Sequence, residues 1–299
     1  DLLNTFLGSI YGTANWVWNL ITLDSSIPWQ QNYFYGLLLL SLFVWALEYC
    51  FPWRKNQKIF RKDFWLDGFY MFFNFFIFAI FISGFFSVLE LLFSQIGWTM
   101  SSLALIDLSP YPVWAGLLIF FVINDFVQWF THIMLHRFEF LWRFHKVHHS
   151  VEEMGFAAHL RYHWMENIFY KPLKTLAVMV VGGFEPSDAY MIHFIAVMIG
   201  HLNHANIRLT FGPLKYILNN PVMHLYHHAK ELPKGQMPGV NFGISLSLWD
   251  YIFKTNYIPQ DQDGNYALGF DGVEQFPKTF WGQVTYGFKP SSKAKNPDK

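Results

Sequence analysis

Thirteen histidines carry most of the chemistry that this sequence offers, and all of them lie between residues 132 and 228. The 131 residues before this stretch and the 71 after it contain none. Imidazole is a ligand for iron, copper and zinc. Eight of the histidines form one pair spaced i, i+4 and two triplets spaced i, i+3, i+4. The pair is His132 and His136, and the triplets are His145, His148, His149 and His224, His227, His228.

On a helix, the triplet spacing places three imidazoles within a sector of about 100°, so one triplet can serve two ions. Eight nitrogens exceed the four ligands of a structural zinc site and suit two ions that keep open positions. The pattern therefore predicts a dinuclear metal site, although spacing alone does not identify the metal. Cys50 is the only cysteine, which excludes an intrachain disulfide and cysteine-based zinc or iron–sulfur sites.

Outside the pair and the two triplets, four further histidines and one asparagine have an interpretation of their own. His204 ends an apolar segment and is predicted as a ninth ligand. His201 lies three residues earlier, on a similar face, and its role stays open between ligand and structural residue. His193 and His159 are interpreted as hydrogen-bonded or lipid-facing side chains. Asn241 either ends a turn or faces the site.

The composition indicates the kind of protein in which these histidines lie. The chain has 299 residues, of which 53% are hydrophobic, 21% aromatic and 14% charged, whereas a soluble domain has roughly 25% charged residues. This excludes an ordinary soluble enzyme and assigns the surplus apolar surface to lipid. The 21 basic and 21 acidic residues cancel, which removes the electrostatic argument for binding nucleic acid.

Three apolar stretches are long enough to predict membrane helices, over about 33–51, 68–89 and from Pro112 to about Leu135. The third contains Asp125 within its apolar pattern, where an ionisable group is costly unless it has a partner or a task. A fourth apolar region, 168–203, is interrupted by two glycines and a proline. It predicts a hairpin of two shorter helices, either crossing the bilayer or re-entrant.

The predicted fold is an all-α integral membrane protein with about four transmembrane helices, comprising two full spans, one histidine-bearing span and one hairpin. A helical cap on the cytosolic side holds the dinuclear site, because the lysines and arginines cluster at 54–62 and after 136. The predicted parts are an interfacial N-terminal segment 1–32, a transmembrane platform 33–136, a catalytic domain 120–258 that includes the hairpin 168–203, and a polar, disordered C-terminal tail within 259–299.

The order of histidine motifs across membrane helices resembles the fatty acid hydroxylase and sterol desaturase superfamily over roughly residues 120–255. Asp125 and Trp129 precede His132 as in that family, and Leu141 and Trp142 precede the first triplet.

A second motif resembles the R-x-H-P-x-E sequence of the family, with Arg161, His163 and Glu166 in register and Trp164 in place of proline. The stretch from Asn203 to Pro221 is similar to the alkylglycerol-monooxygenase-like bacterial branch, which matches His204 to a histidine of that branch.

The resemblance implies two iron ions, O2 as co-substrate and a lipid substrate. It assigns metal ligation to nine histidines. Asp125 is expected to orient an imidazole, with a hydrogen bond between helices as the alternative. His163 and Glu166 are expected to line the site or to hydrogen-bond ligands, with a structural contact in the cap as the alternative. No G-x-G-x-x-G motif is present, so electrons are expected from an external donor, either a reduced pterin, cytochrome b5 or ferredoxin. The ligands assigned in this way are His132, His136, His145, His148, His149, His204, His224, His227 and His228.

The expected function is O2-dependent hydroxylation of an aliphatic or ether lipid taken from the bilayer, in a bacterial inner membrane or the endoplasmic reticulum. A sterol or fatty acyl desaturase, or a sterol-methyl oxidase, is the alternative within the same chemistry. A histidine-rich metal transporter and a bis-histidine haem membrane protein are the alternatives from other classes.

Overall fold

The computed structural model describes residues 2–99, 102, 104–182, 186–232, 235, 238–260 and 262–288. The interruption at 183–185 in the predicted hairpin and the end of the predicted polar tail, 289–299, lie outside these residues. The helices with described bounds are α1 Leu2–Ile21, α2 Tyr33–Cys50, α3 Phe64–Phe72, α4 Phe78–Gln95, α5 Val113–Arg137, α6 Glu139–His149, α7 Trp164–Val180, α8 Pro186–His204, α9 Pro221–His227, α10 Leu248–Phe253 and α11 Phe280–Tyr286.

Three helical segments of the described chain are long and apolar enough to cross a membrane. They are Tyr33–Cys50, Phe64–Gln95 and Val113–Arg137, with mean hydropathies of 1.5, 2.3 and 1.6. The second joins α3 and α4 through a π-helical turn at Phe73–Ile77, and is therefore longer than the predicted 68–89. A mostly helical chain with three candidate membrane-spanning helices is thus confirmed, whereas the number of crossings stays a prediction.

Helix α1 lies alongside α4. The ring of Phe6 contacts that of Phe85 edge to face at 5.1 Å between centroids, and Gly84 leaves the space that Phe6 occupies. The Ser87 hydroxyl donates to the Ser9 hydroxyl at 2.8 Å. The first helix therefore packs against a candidate membrane-spanning helix, and its predicted position along the bilayer surface stays untested.

The largest hydrophobic cluster joins α2 to the π-helical turn and to α8. Leu37 and Val44 are fully buried and pack in one cluster with Phe76, Leu160 and Val197. Because α2 and the π-helical turn belong to candidate membrane helices, close van der Waals packing holds this cluster together rather than removal of apolar surface from water. This cluster fixes α8, and with it the position of His204.

A buried ion network connects α3 to the segment after α6. The guanidinium of Arg161 is fully buried and donates to Asp63 and Asp67, each at 3.1 Å, and to the Ser150 hydroxyl at 2.9 Å. Arg61 pairs with the other oxygen of Asp67. A buried charge is tolerated only when it is paired and hydrogen-bonded, so these contacts hold the two segments together.

Two short parallel strands, each of two residues, pair at the end of the bundle that lies away from His136. Strand β1, Ile106–Asp107, lies between α4 and α5, and strand β2, Val181–Gly182, follows α7. The pair therefore places the end of α7 beside the start of α5, at the opposite end of α5 from His136.

Candidate metal centre

Four helices bring nine histidines into two groups, and these nine are the residues that the sequence predicts as ligands. Within each group, one ring nitrogen of every member lies within 4.8 Å of the others. The first histidine group is His132, His136, His145, His149 and His227. The second histidine group is His148, His204, His224 and His228.

Each triplet is divided between the groups. On α6, the i and i+4 residues belong to the first group, and His148 at i+3 belongs to the second. The second triplet follows the opposite rule: only its i+3 residue, His227, belongs to the first group. Helices α6 and α9 thus each contribute to both groups.

The nitrogen separations in the second group fit ligands of one ion. The Nε2 atom of His224 lies 2.9 Å from that of His204 and 3.2 Å from that of His228. His204 and His148 bring their Nε2 atoms to 3.3 Å. Imidazole nitrogens bound at about 2.1 Å to one ion lie roughly 3 Å apart when the angle between them is near 90°.

Unpaired nitrogens in the first group lead to the same conclusion. The buried Nε2 atoms of His136, His149 and His227 have no hydrogen-bond partner among the described residues. Buried polar atoms are nearly always paired, so such nitrogens indicate a missing partner. A metal ion fits, because these atoms lie within one group and not scattered through the core.

Burial also keeps the imidazoles in the form that binds metals. Desolvation lowers the pKa of His148 to about 3 and lowers the pKa of His228 well below its usual value. Both rings are therefore neutral at physiological pH, with a lone pair available for a metal.

Backbone carbonyls orient four of the rings. A carbonyl oxygen only accepts, so each Nδ1 carries the proton and each Nε2 offers its lone pair. The contacts run from His132 to Phe242 at 2.8 Å, from His148 to Arg161 at 3.0 Å, from His204 to Gly200 at 2.8 Å and from His227 to Val240 at 2.7 Å.

A carboxylate orients a fifth ring. Oε2 of Glu166 lies 3.1 Å from Nδ1 of His145, and Glu166 is almost fully buried. This is the contact with a candidate ligand that the sequence expects of Glu166. His163 lies elsewhere, since its Nε2 donates to the Val284 carbonyl and its Nδ1 accepts from the Met165 amide.

Asp125 differs from the expectation, because it accepts hydrogen bonds from a loop and none from an imidazole. Its oxygens accept from the Ser245 and Leu246 amides at 2.9 and 3.2 Å and from the Trp249 indole at 3.0 Å. That loop begins at Phe242, the carbonyl partner of His132. Asp125 is thus connected to the candidate ligand His132 through one intervening segment.

Asp250 anchors the same loop, and sequence reasoning does not single it out. It accepts from the amides of Phe242 and Gly243, the Trp129 indole and the Thr255 hydroxyl, at 2.6–3.0 Å. Asp250 is the second residue of the stretch WDYIFKT, residues 249–255. An acidic residue within this apolar stretch could have drawn attention, but the sequence does not reveal which donors its carboxylate binds.

The remaining candidates lie outside both histidine groups. His201 and His159 bring their Nδ1 atoms to 2.8 Å, outside both histidine groups. The Tyr33 hydroxyl lies 3.1 Å from Nε2 of His193. Asn241 adopts φ 54° and bonds the backbone of Met223 and Tyr257, so it forms a turn.

Gly200 allows His159 to lie directly against α8, and a methyl group there would collide with its ring. We expect Gly200→Ala to destabilise the protein by about 1–3 kcal/mol, as overpacking does, and to displace the His204 ring, which contacts His159. Thermal unfolding and bound-metal content measure the two effects. Gly8→Ala on α1 is the control, because nothing lies within 4 Å of the added carbon; equal losses in both variants would contradict this account.

A cavity of about 430 Å³ reaches the two groups from within the helical bundle. His132 and His145 of the first group and His148, His204 and His224 of the second line one part of it. The rest is bordered by α5, α7, α8 and the π-helical turn. A substrate inside the bundle can thus approach both groups.

Comparison with known proteins gives a consistent set of relatives. Residues 117–255 match the fatty acid hydroxylase family model. Ornithine lipid hydroxylase OlsE from Rhizobium tropici is 32% identical over 138 residues, covering 46% of this chain and 40% of the relative. Alkylglycerol monooxygenase from Homo sapiens is 29% identical over 136 residues, covering 44% and 28%.

Very-long-chain aldehyde decarbonylase GL1-7 from Oryza sativa subsp. japonica is 27% identical over 187 residues, which cover 56% of this chain and 28% of the relative. The matched segments thus span less than half of each of these three relatives. No solved structure matches the chain.

Proposed function

Through residues 117–255 this chain belongs to the fatty acid hydroxylase superfamily, and from that membership we propose that it is an O2-dependent di-iron lipid monooxygenase. The observation that carries the proposal is the division of nine histidines, eight of them buried and His136 half-buried, into two groups beside a cavity within the helical bundle. The hydroxylase and monooxygenase relatives support oxidation of a lipid.

The proposed ligands are the five histidines of the first group for one iron and the four of the second for the other. An all-imidazole set suits iron, and iron supplies the activation of O2 that an unreactive C–H bond requires. The protein's own contribution is to hold neutral imidazoles in fixed orientations, through backbone carbonyls and Glu166, and to present the substrate from the cavity beside the histidine groups.

The proposed reaction inserts one oxygen atom of O2 into a C–H bond and reduces the other to water. It consumes two electrons and two protons for each hydroxyl group formed. The electrons come from an external donor, for which a reduced pterin, cytochrome b5 and ferredoxin are the candidates.

The proposed topology places the histidine groups on the cytosolic side. The basic residues of 54–62 and those after 136 are then cytosolic. The pairing of β1 with β2 supports a hairpin that crosses the bilayer fully, because it holds the end of α7 beside the segment that precedes α5.

Comparative lipid mass spectrometry tests the proposal. Membranes that contain the intact protein are compared with membranes that contain the His148→Ala, His227→Ala double variant. We expect a lipid that gains the mass of one oxygen only with the intact protein. A loss of two hydrogens would instead identify the desaturase alternative, and identical lipids in the two membranes would contradict the proposal.

A further inference from the structure

A second cavity, of about 350 Å³, lies beside the start of α9 and shares no lining residue with the cavity at the histidine groups. Thr210, Lys215 and Asn220 border it, and each can donate a hydrogen bond. No acidic residue among those that the structure describes lines it. The ammonium of Lys215 lies 5.3 Å from the centroid of the Tyr216 ring and pairs with no carboxylate in the described chain. The lining therefore favours an anion.

One donor in this second cavity is buried and unused. Asn220 is 1% exposed, and its Oδ1 atom accepts from the Met223 amide at 3.0 Å, which caps α9. That bond fixes the orientation of the side-chain amide, so Nδ2 is a donor, and it has no partner among the described residues. A buried donor without an acceptor is costly, so this nitrogen indicates a ligand that accepts hydrogen bonds.

Exposed apolar side chains lie next to this cavity. They belong to the 3-10 helix Gly212–Tyr216, to the residue that follows it and to the end of α10, and each is 49–55% exposed. The five residues of this apolar patch are Leu214, Tyr216, Ile217, Ile252 and Phe253. The rings of Tyr216 and Tyr251 lie 5.0 Å apart and join the two elements. Because Tyr216 also borders the cavity, the cavity and the apolar patch form one continuous surface.

The apolar patch continues onto α5, which crosses the bilayer in the proposed topology. The Phe253 ring stacks on that of Trp129 at 4.7 Å between centroids. From Val113 to Trp129, α5 rises by about 24 Å, which approaches the roughly 30 Å thickness of the hydrocarbon core. Trp129 therefore lies near the cytosolic edge of the core, at the depth that tryptophan and tyrosine prefer. The anions at this depth are the phosphates of membrane lipids, and anionic lipids are abundant in the cytosolic leaflet.

We propose that this second cavity binds the phosphate of an anionic phospholipid whose acyl chains lie against the apolar patch. Lys215 pairs with the charge of the phosphate, and Nδ2 of Asn220 and the Thr210 hydroxyl donate to its oxygens. The lipid is a ligand of the cap and not the substrate, because the cavity is separate from the one at the histidine groups. Since Asn220 caps the helix that carries His224 and His227, the bound phosphate holds the start of that helix in place.

Three probes separate the phosphate from the acyl chains: dioctanoyl phosphatidylglycerol, dioctanoylglycerol and glycerol phosphate. Binding to the purified full chain in a neutral detergent is measured by native mass spectrometry. Thermal unfolding is a second readout, because a ligand of the folded state raises the melting temperature. We expect phosphatidylglycerol to bind most tightly and to stabilise most. Equal binding of dioctanoylglycerol would overturn recognition of the phosphate, and equal binding of glycerol phosphate would overturn a lipid as its source.

Lys215→Met should weaken the binding of phosphatidylglycerol by about 10- to 100-fold, as expected for loss of a charged hydrogen bond, and Lys215→Arg should restore much of it. Lys58→Met is the matched control, because it removes the same charge from an exposed side chain that does not line the cavity. Equal weakening in Lys215→Met and Lys58→Met would show general attraction of the lipid to basic residues, and would overturn the inference.

Asn220→Asp keeps the oxygen that caps α9 and replaces the unused donor by an acceptor. We expect the binding of phosphatidylglycerol to fall by about 10-fold or more, because the new carboxylate repels the phosphate. Thermal unfolding without any probe shows whether the cap is retained. Unchanged binding in this variant would contradict the role of Nδ2. None of these measurements needs iron, O2 or a reductant, so their outcome is independent of the proposed reaction.

Discussion

The His148→Ala and His227→Ala proteins should each bind about one iron fewer per chain, and each should lose at least about 100-fold in product formation. Replacing groups that only orient a ligand already costs 10–100-fold, and these two residues belong to the ligand groups themselves. His148 lies in the second histidine group and His227 in the first. Iron content by elemental analysis and product by mass spectrometry measure the two losses.

Double variants then test how the groups are divided. His148→Ala combined with His204→Ala removes two members of one group and should cost no more iron than the single change. His148→Ala combined with His227→Ala removes one member from each group and should abolish both ions.

If each triplet instead bound its own ion, the double variant His145→Ala, His148→Ala would lose only one iron ion. The division seen in the structure predicts loss of both ions for that pair. His163→Gln is the control for changing a buried histidine, since its ring bonds the Val284 carbonyl and the Met165 amide. It should keep both irons.

Asp250→Ala should lower the free energy of unfolding by about 3–5 kcal/mol. The change leaves three buried donors and one half-buried donor without an acceptor, and each unpaired buried donor costs about 1–3 kcal/mol before relaxation. Those donors are the Phe242 and Gly243 amides, the Trp129 indole and the Thr255 hydroxyl. Thermal or denaturant unfolding in detergent measures the loss.

The same variant should also release iron from the first histidine group, because Phe242 supplies the carbonyl that orients His132. Asp250→Asn keeps the shape and part of the acceptor capacity and should fall between the intact protein and Asp250→Ala. Asp271→Ala changes an exposed carboxylate and should leave stability within about 0.5 kcal/mol. An unchanged iron content in a destabilised Asp250→Ala protein would separate the loop from the metal site.

The parts of the fold that follow from short periodic patterns could be predicted from the sequence. The span Tyr33–Cys50 agrees closely with the predicted 33–51, since a run of apolar side chains defines a membrane helix by itself. The helical spacing of the triplets likewise places their imidazoles on one face. The join of α3 to α4 through a π-helical turn was not predicted, because a wide turn within a uniformly apolar run has no compositional signal.

The candidate ligands could be chosen from spacing and resemblance, but their partners could not. The rings of His132 and His227 are oriented by the carbonyls of Phe242 and Val240, and every residue type carries such a carbonyl. Asp125 was expected beside an imidazole because it lies two turns before His132. The loop that comes between them is brought there by long-range folding, so local sequence does not indicate it.

The buried ion network has a consequence for biosynthesis. Asp67 leaves the ribosome with Arg61 only six residues before it, whereas Arg161 is made 94 residues later. The carboxylate is therefore neutralised within its own segment as soon as that segment folds. Until Arg161 is made, Asp67 has only Arg61 as its basic partner. Arg161 can complete the network only if the segment that carries Asp67 is already in place, so folding of the second half of the chain depends on correct insertion of the first.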